Sequence, residues 1–326
     1  MSLLDVAGNA LRAAVGPDAA TYALLAIGLN LHYGYTGLLN FGHVGFMLVG
    51  AYGAGVVVAT FGQSLWLGVV VGLALSVALA LALGYPTLRL RADYFAITTI
   101  AAAEILRLLV RSAPLEPLTG GVFGLQAVAN DFYDLNPIPR GRYGIGLLTF
   151  PHQTLWALLV TWLLVGLATV LVALLARSPW GRVVRSIRED EDAARSLGKN
   201  VFAYKLQSLV VGGMLGALAG AMFAISTSSV NADTYQPDIT FFAYTILILG
   251  GTATRIGPIL GSILFWFLIA GTDSLLRQAS QAGMLPSVLT NVGAVSLILV
   301  GIGLVLLMVF RPQGLFGDRR EMLLDV

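Results

Sequence analysis

Between Ala19 and Leu88 the chain runs for 70 residues without one Asp, Glu, Lys or Arg. A soluble domain carries charge on about a quarter of its residues, so water cannot be the solvent for this stretch. A helix crossing the hydrocarbon core of a bilayer needs about 20 mostly apolar residues, and the run therefore holds two or three crossings. Three further uncharged runs follow, Gln153–Ala176, Leu206–Ala232 and Gln278–Phe310. Segments such as WLGVVVGLALSVALALALG (66–84) are apolar on every face and do not alternate, which excludes the strands of a transmembrane β-barrel. The expected fold is an all-α, polytopic integral membrane protein of about eight to ten transmembrane helices, with broken or re-entrant Gly-rich segments.

Apolar runs and their polar breaks place spans near 19–39, 44–61, 64–83, 94–111, 153–176, 206–228, 239–253, 256–275 and 291–310. The seventh is short for a crossing, so a re-entrant or broken helix is expected there, and Gly-rich 34–45 marks a second break. Nine spans put the termini on opposite sides. Arg89, Arg91, the cluster from Arg177 to Lys205, Arg255, Arg311, Arg319 and Arg320 would share one side, 13 basic residues against five on the other. By the positive-inside rule the C-terminus is expected in the cytoplasm and the N-terminus outside. Residues 1–18 hold Asp5, Arg12 and Asp18 and no basic region followed by an apolar core, so the first span is expected to act as its own insertion signal.

The whole chain, 1–326, reads as a single transmembrane domain with two notable connections. The outer one, within 112–152, is rich in Pro and Gly and is expected to form a structured extracytoplasmic cap. The inner one, 177–205, holds 11 of the chain's 36 charges. It reads as short cytoplasmic helices, with Pro179 in a first turn and Arg185, Arg188, Glu189 and Asp192 at three- and four-residue spacings.

Several chemistries are excluded or weakened. A phosphate-binding loop ends in Gly-Lys-Ser/Thr; of the two lysines, Lys199 follows Gly198 but precedes Asn200, so the chain has no ATPase motif of its own. No cysteine is present, and His32, His43 and His152 lack metal-ligand spacing. A net charge of +2 with no interleaved basic and aromatic tract gives no nucleic-acid partner. A membrane hydrolase using His43 lacks the accompanying Gly-x-Ser-x-Gly elbow. The reading is a non-enzyme that binds no cofactor itself.

Glycine carries the positive signal. Gly212, Gly216 and Gly220 recur every fourth residue, a smooth stripe for close helix packing. The glycines of 34–55 are too dense for an uninterrupted helix. Gly34, Tyr35, Gly37, Gly42 and His43, with Gly250, Gly251 and Gly257 at the second break, are candidates for a translocation path or gate, which freed backbone groups could line. Glu104 and Arg107 are intramembrane charges. Glu104 either serves function or pairs with Arg107 one turn on, while Arg111 reaches for the surface. In the inner loop, Asp192, Ala193, Ala194 and Gly198 form D-A-A-x-x-x-G. Either this segment docks on a separate ATPase or it is only a charged membrane-surface loop.

Six strings run the length of the chain: LNLHYGYTGLLNFGHVGFMLVGAY (29–52), LRLRADYFAITTIAAAEILRLL (88–109), LTGGVFGL (118–125), SPWGRVVRSIREDEDAARSLGKNVFAYKLQSLVVGGMLGALAGAMFA (178–224), ILGGTATRIGPILGS (248–262) and FRPQGLFG (310–317). Through them the chain resembles the LivM-type permeases of branched-chain amino-acid ABC importers, a family that also serves urea and other amino acids. The resemblance implies a second, LivH-like permease subunit, two ATPase subunits that carry ATP and Mg, an extracytoplasmic solute-binding protein, and surrounding lipid. It places ATPase coupling at Arg185, Arg188, Asp192, Ala193, Ala194 and Gly198. The importer consensus follows its glycine with Ile-x-Leu-Pro, whereas Gly198 is followed by NVFAYKLQS. The rival from the residues alone is an ion-coupled secondary transporter with Glu104 as its coupling carboxylate.

Overall fold

The computed structural model describes residues 3–90, 92–281, 292–310 and 314–315. Arg91, Arg311, Arg319 and Arg320, counted above on the basic side, lie outside the described residues, as does the orientation expected for the C-terminus.

In chain order, α1 (Leu3–Val15) and α2 (Pro17–Leu29) meet at Gly16, and α2 continues into a π-helical turn, Asn30–Tyr35. Then come α3 (His43–Ala59), α4 (Leu65–Thr87) and α5 (Ala92–Arg111). Residues 112–151 fold into small elements: α6 (Glu116–Thr119), β1 (Leu125–Gln126), α7 (Asn130–Asp134), β2 (Arg142–Ile145) and β3 (Leu148–Pro151). The chain continues with α8 (His152–Arg177), the short α9 (Pro179–Glu189) and α10 (Glu191–Ser196), and α11 (Val201–Thr227). It ends with β4 (Ser229–Val230), α12 (Asp238–Gly250), α13 (Gly257–Gln281) and α14 (Val292–Phe310). Among the described residues α4, α8, α11 and α13 are each long and apolar enough to cross a membrane, and α3 and α12 are shorter apolar helices.

Every one of the nine expected spans contains a helix, but α1 is an addition. Its three charged neighbours in sequence hide an i, i+4 stripe of Val6, Ala10 and Ala14, all buried, by which it packs on α13. Gly16 and Pro17 at the helix junction start α2 without a side-chain cap.

Packing follows lipid rather than water rules. On α8 the buried stripe is Ala157, Thr161, Val165, Ala168, Val172 and Ala176, while Leu159, Leu163, Leu167 and Leu174 face outward. Hydrocarbon offers leucine no reason to hide, so small residues take the inside, where backbones can approach. On α4 the same logic gives Gly68, Gly72, Ser76, Ala80 and Gly84, one every fourth residue, all buried. α3 packs on this stripe at Gly68 and Gly72, and α11 meets it at Gly84.

At one end of the bundle the 112–151 segment is bonded to helix ends. β1 pairs antiparallel with β4, the Trp156 indole donates to the Phe132 carbonyl at 3.1 Å, and Asp131 accepts from the Leu65 amide at 3.1 Å. At the other end lie the 36–42 loop, the turn at 88–90 and helices α9 and α10.

Candidate functional site

The residues expected for coupling and those expected for a gate meet at this second end. Ser178 caps α9 by accepting from the Gly181 amide at 3.4 Å, with Pro179 in its first turn. Val184 and Ile187 bury one face of the helix, and this turns Arg185 and Arg188 toward the bundle. Arg185 donates from Nη2 to the Ala176 carbonyl at the end of α8 at 2.5 Å, with its guanidinium 6.0 Å from the Tyr35 ring centre. A cation at a helix C-terminus is favoured by the exposed carbonyl dipoles. Arg188 donates from Nη1 to the Gly34 carbonyl at 2.6 Å, and its side chain lies over Gly37. Gly37 has φ +75, a left-handed conformation that closes the π-helical turn as a glycine can.

The helix breaks at Asp190, whose Oδ1 accepts from the amides of Asp192 and Ala193 at 2.9 Å each and so starts α10. Asp192 therefore leaves the register of Arg185 and Arg188. It pairs instead with Arg195 at 2.9 Å, while Glu191 pairs with Arg195 at 3.0 Å and with Lys205. Of the two alanines expected on a docking face, Ala193 is exposed and Ala194 is not: it is buried with Ile187 and Val201 in a small core. Gly198, at φ +74, ends α10 and turns the chain into α11.

One residue that sequence reasoning passed over joins the two breaks. Asn30, 2% exposed, donates from Nδ2 to the Thr254 carbonyl at 2.8 Å and accepts at Oδ1 from the Ala253 amide at 2.9 Å. Ala253 holds φ +57, a left-handed conformation unusual for alanine, and Asn30 clamps it there. A methyl on Gly34 would lie 2.7 Å from the same Ala253 amide and still nearer the Asn30 carboxamide. Gly251, φ +105, and Gly250, whose Cα packs against the Gly257 backbone, let α12 fold back on α13 around this turn. The 13-residue α12 is thus one arm of a helical hairpin. An Asn in an apolar run, able to satisfy broken backbone in both roles, was the available signal.

Alanine at position 30 removes both bonds and leaves a backbone donor and acceptor unpaired, which is expected to cost about 2–4 kcal/mol. Asn30→Ala should melt well below the wild type in detergent; an unchanged melting curve would mean the clamp contributes nothing.

The glycine stripe serves the same region. Gly212 makes room for the His32 imidazole, and Gly216 lets His43 Cε1 come within 3.0 Å of where a methyl would be. Both histidines are fully buried, 5.1 Å apart edge to face. His32 Nε2 is 3.2 Å from the Leu209 carbonyl and His43 Nε2 is 3.1 Å from the Leu25 carbonyl, so each ring donates from Nε2. His43 thereby ties α3 to α2. Gly220 meets the Met47 carbonyl and Gly42 the Thr99 carbonyl, each too closely for any side chain. At the two breaks, the amides of Gly42, Val44 and Gly257 are taken by Asn40, Thr240 and Thr254 at 3.0, 2.9 and 3.0 Å. A passing carboxylate would have to displace those partners.

Glu104 and Arg107, expected as intramembrane charges, lie apart from this junction. Arg107 forks onto Glu104 at 2.6 and 2.9 Å and reaches Asp233, between β4 and α12, at 3.0 Å. Arg111 reaches the same Asp233 at 3.1 Å. Glu104 is therefore paired, and Asp233 is the member the sequence did not reveal. Among the described residues no three His, Asp or Glu side chains are grouped as a metal site.

The family model described as branched-chain amino acid transport system / permease component matches residues 15–309. The high-affinity branched-chain amino acid transport system permease protein LivM of Escherichia coli K12 is 30% identical over 312 residues, 93% of this chain and 69% of that one. The probable branched-chain amino acid transport permease protein LivM of Methanocaldococcus jannaschii is 24% identical, over 91% of each chain. LivH of Escherichia coli K12, a permease protein of the same description, is 25% identical over 91% of this chain and 92% of its own.

Proposed function

Because this chain belongs to the family of branched-chain amino acid transport system permease components, we propose that it forms, with a second permease, the membrane path of an ATP-driven importer for branched-chain or related amino acids. The family sets aside the secondary-transporter reading, and the Glu104–Arg107 pair gives Glu104 a structural partner in place of a free coupling proton. The likeness to both LivM and LivH supports a pairing of two related permeases. A solute-binding protein would load the path at the 112–151 end, and two ATPases would bind at the α9–α10 end in the cytoplasm.

The observation that carries the mechanism is the Arg188–Gly34 bond. α9 and α10 stand outside the bundle proper, and Arg188 ties α9 to the carbonyl that ends the π-helical turn. From there Asn30 runs to the α12–α13 break. A π-turn is an under-wound, one-residue insertion of the kind found at functional sites in helices, and a hairpin tip held by two hydrogen bonds can swing. ATPase closure that moves α9 would thus pull the first break directly and the second through Asn30. The two ends of the path would open alternately as the pull is applied and released.

The test is reconstitution with the partner subunits. Uptake of labelled leucine should require ATP and the loaded binding protein, and should persist when a protonophore and a sodium ionophore collapse the ion gradients. Uptake that follows the ion gradient without ATPase subunits would overturn the reading.

A further inference from the structure

A cavity of about 240 Å³ lies beside the Arg188–Gly34 bond, between the 36–39 loop, the 88–90 turn, α9, α10 and α11. Its lining combines two chemistries. Leu38, Leu88, Phe95 and Ile187 are apolar, and Arg188, Lys205 and Glu191 carry charge. Leu38, Leu88, Phe95 and Ile187 are all buried, so the apolar part is fixed by packing.

The charged part has two cations and one carboxylate. Glu191 is shared between Lys205 and Arg195, and Arg188 uses Nη1 on Gly34. An ammonium has three donors and a guanidinium five, so both cations keep donors for an incoming carboxylate. The net excess of one positive charge favours that carboxylate, and the Glu191 oxygens offer an acceptor to an ammonium beside it. A lining that offers apolar side chains together with a carboxylate site and an ammonium site is the complement of a zwitterionic aliphatic amino acid.

We propose that this cavity is an effector site on the ATPase-facing side, where a zwitterionic aliphatic amino acid lodges between α9 and the 36–39 loop and holds them together. The site deepens the function proposed above, since its ligand is of the same class as the cargo. Filling the cavity would oppose relative motion of the loop and α9, the motion by which the ATPases are coupled. Cargo accumulated inside would then slow its own import. The ligand must bind the held arrangement more tightly than the moving one, and the shift in coupling equals that ratio of affinities.

Binding is measured on the complete transporter in detergent, without the solute-binding protein, by equilibrium dialysis of labelled L-leucine. Leu90 lines the cavity and is 46% exposed, so Leu90→Trp narrows the space without disturbing the core. Saturable binding should weaken tenfold or more in Leu90→Trp and again in Lys205→Gln. In proteoliposomes, leucine on the ATPase side should slow ATP hydrolysis several-fold in the wild type and by a much smaller factor in Leu90→Trp, each compared with its own rate without leucine. No saturable leucine binding, or binding and inhibition equal in wild type and both variants, would overturn the proposal. So would hydrolysis that responds to the fraction of anionic lipid and not to leucine, which would give the cations to a headgroup. The dialysis result stands whether or not the complex transports leucine, so failure of the importer reading shows separately, as absent ATP-dependent uptake.

Discussion

Replacing Gly220 by valine is expected to leave little folded protein in the membrane. The Cα of Gly220 sits against the Met47 carbonyl, and one helical turn away on the opposite helix Gly50 sits against the Ala217 carbonyl. Each glycine therefore marks a place where the backbones of α3 and α11 touch. A branched side chain there meets main chain that cannot rotate aside, so the two helices must separate along their length. Overpacking a dense interior costs about 1–3 kcal/mol and sometimes more; with backbone as the obstacle, Gly220→Val should reach at least about 3 kcal/mol, a large part of a typical total stability. The measurement is the monodisperse fraction and melting midpoint in detergent. Gly166, on the outward side of α8 with open space around it, supplies the control: alanine there should be neutral or raise stability by up to about 1 kcal/mol through helix propensity. If Gly220→Val melted with the wild type, the α3–α11 contact described above would be wrong.

The second large effect concerns function with assembly intact. In Arg188→Ala, the permease should still copurify with its ATPases, while leucine uptake falls tenfold or more and binding protein no longer stimulates hydrolysis. A hydrogen bond from a charged donor contributes about 1.5–3 kcal/mol, and each 1.4 kcal/mol is a factor of ten in an equilibrium. Lysine should rescue only in part, because it reaches a carbonyl as a hydrated point donor and lacks the planar guanidinium. Full uptake in Arg188→Ala would remove the bond from the coupling route. Loss of the ATPase itself would instead make Arg188 a docking residue.

The helical layout was legible because lipid imposes a simple rule: long apolar runs interrupted by charge. The first helix escaped it, since Asp5 and Arg12 lie on the face away from the Val6, Ala10, Ala14 stripe and masked it. The coupling and gate segments were legible as neighbourhoods, through the charge density of 177–205 and the glycines of 34–45 and 250–257. Their joining was not, because it rests on contacts far apart in sequence, Arg188 with Gly34 and Asn30 with Ala253 and Thr254. The helical spacing that grouped Asp192 with Arg188 failed for a local reason, the cap that Asp190 makes. Asp233 stayed hidden because its sequence neighbours carry no charge, and only the return of the chain from α11 to α12 brings it to Arg107.

Most of the long-range polar contacts that organise this bundle end on main chain. Arg188, Asn30, His32, His43 and Ser262 all address carbonyls or amides of distant helices. For genetics this has a plain meaning. A lesion in any of those side chains has no opposite residue whose replacement can restore the lost bond, since every amino acid presents the same carbonyl. Compensating mutations, when selected, should therefore collect in the small-residue seams that set helix spacing, and side-chain exchange at receiving positions such as Leu25, Leu209 and Ala19 should leave these bonds in place.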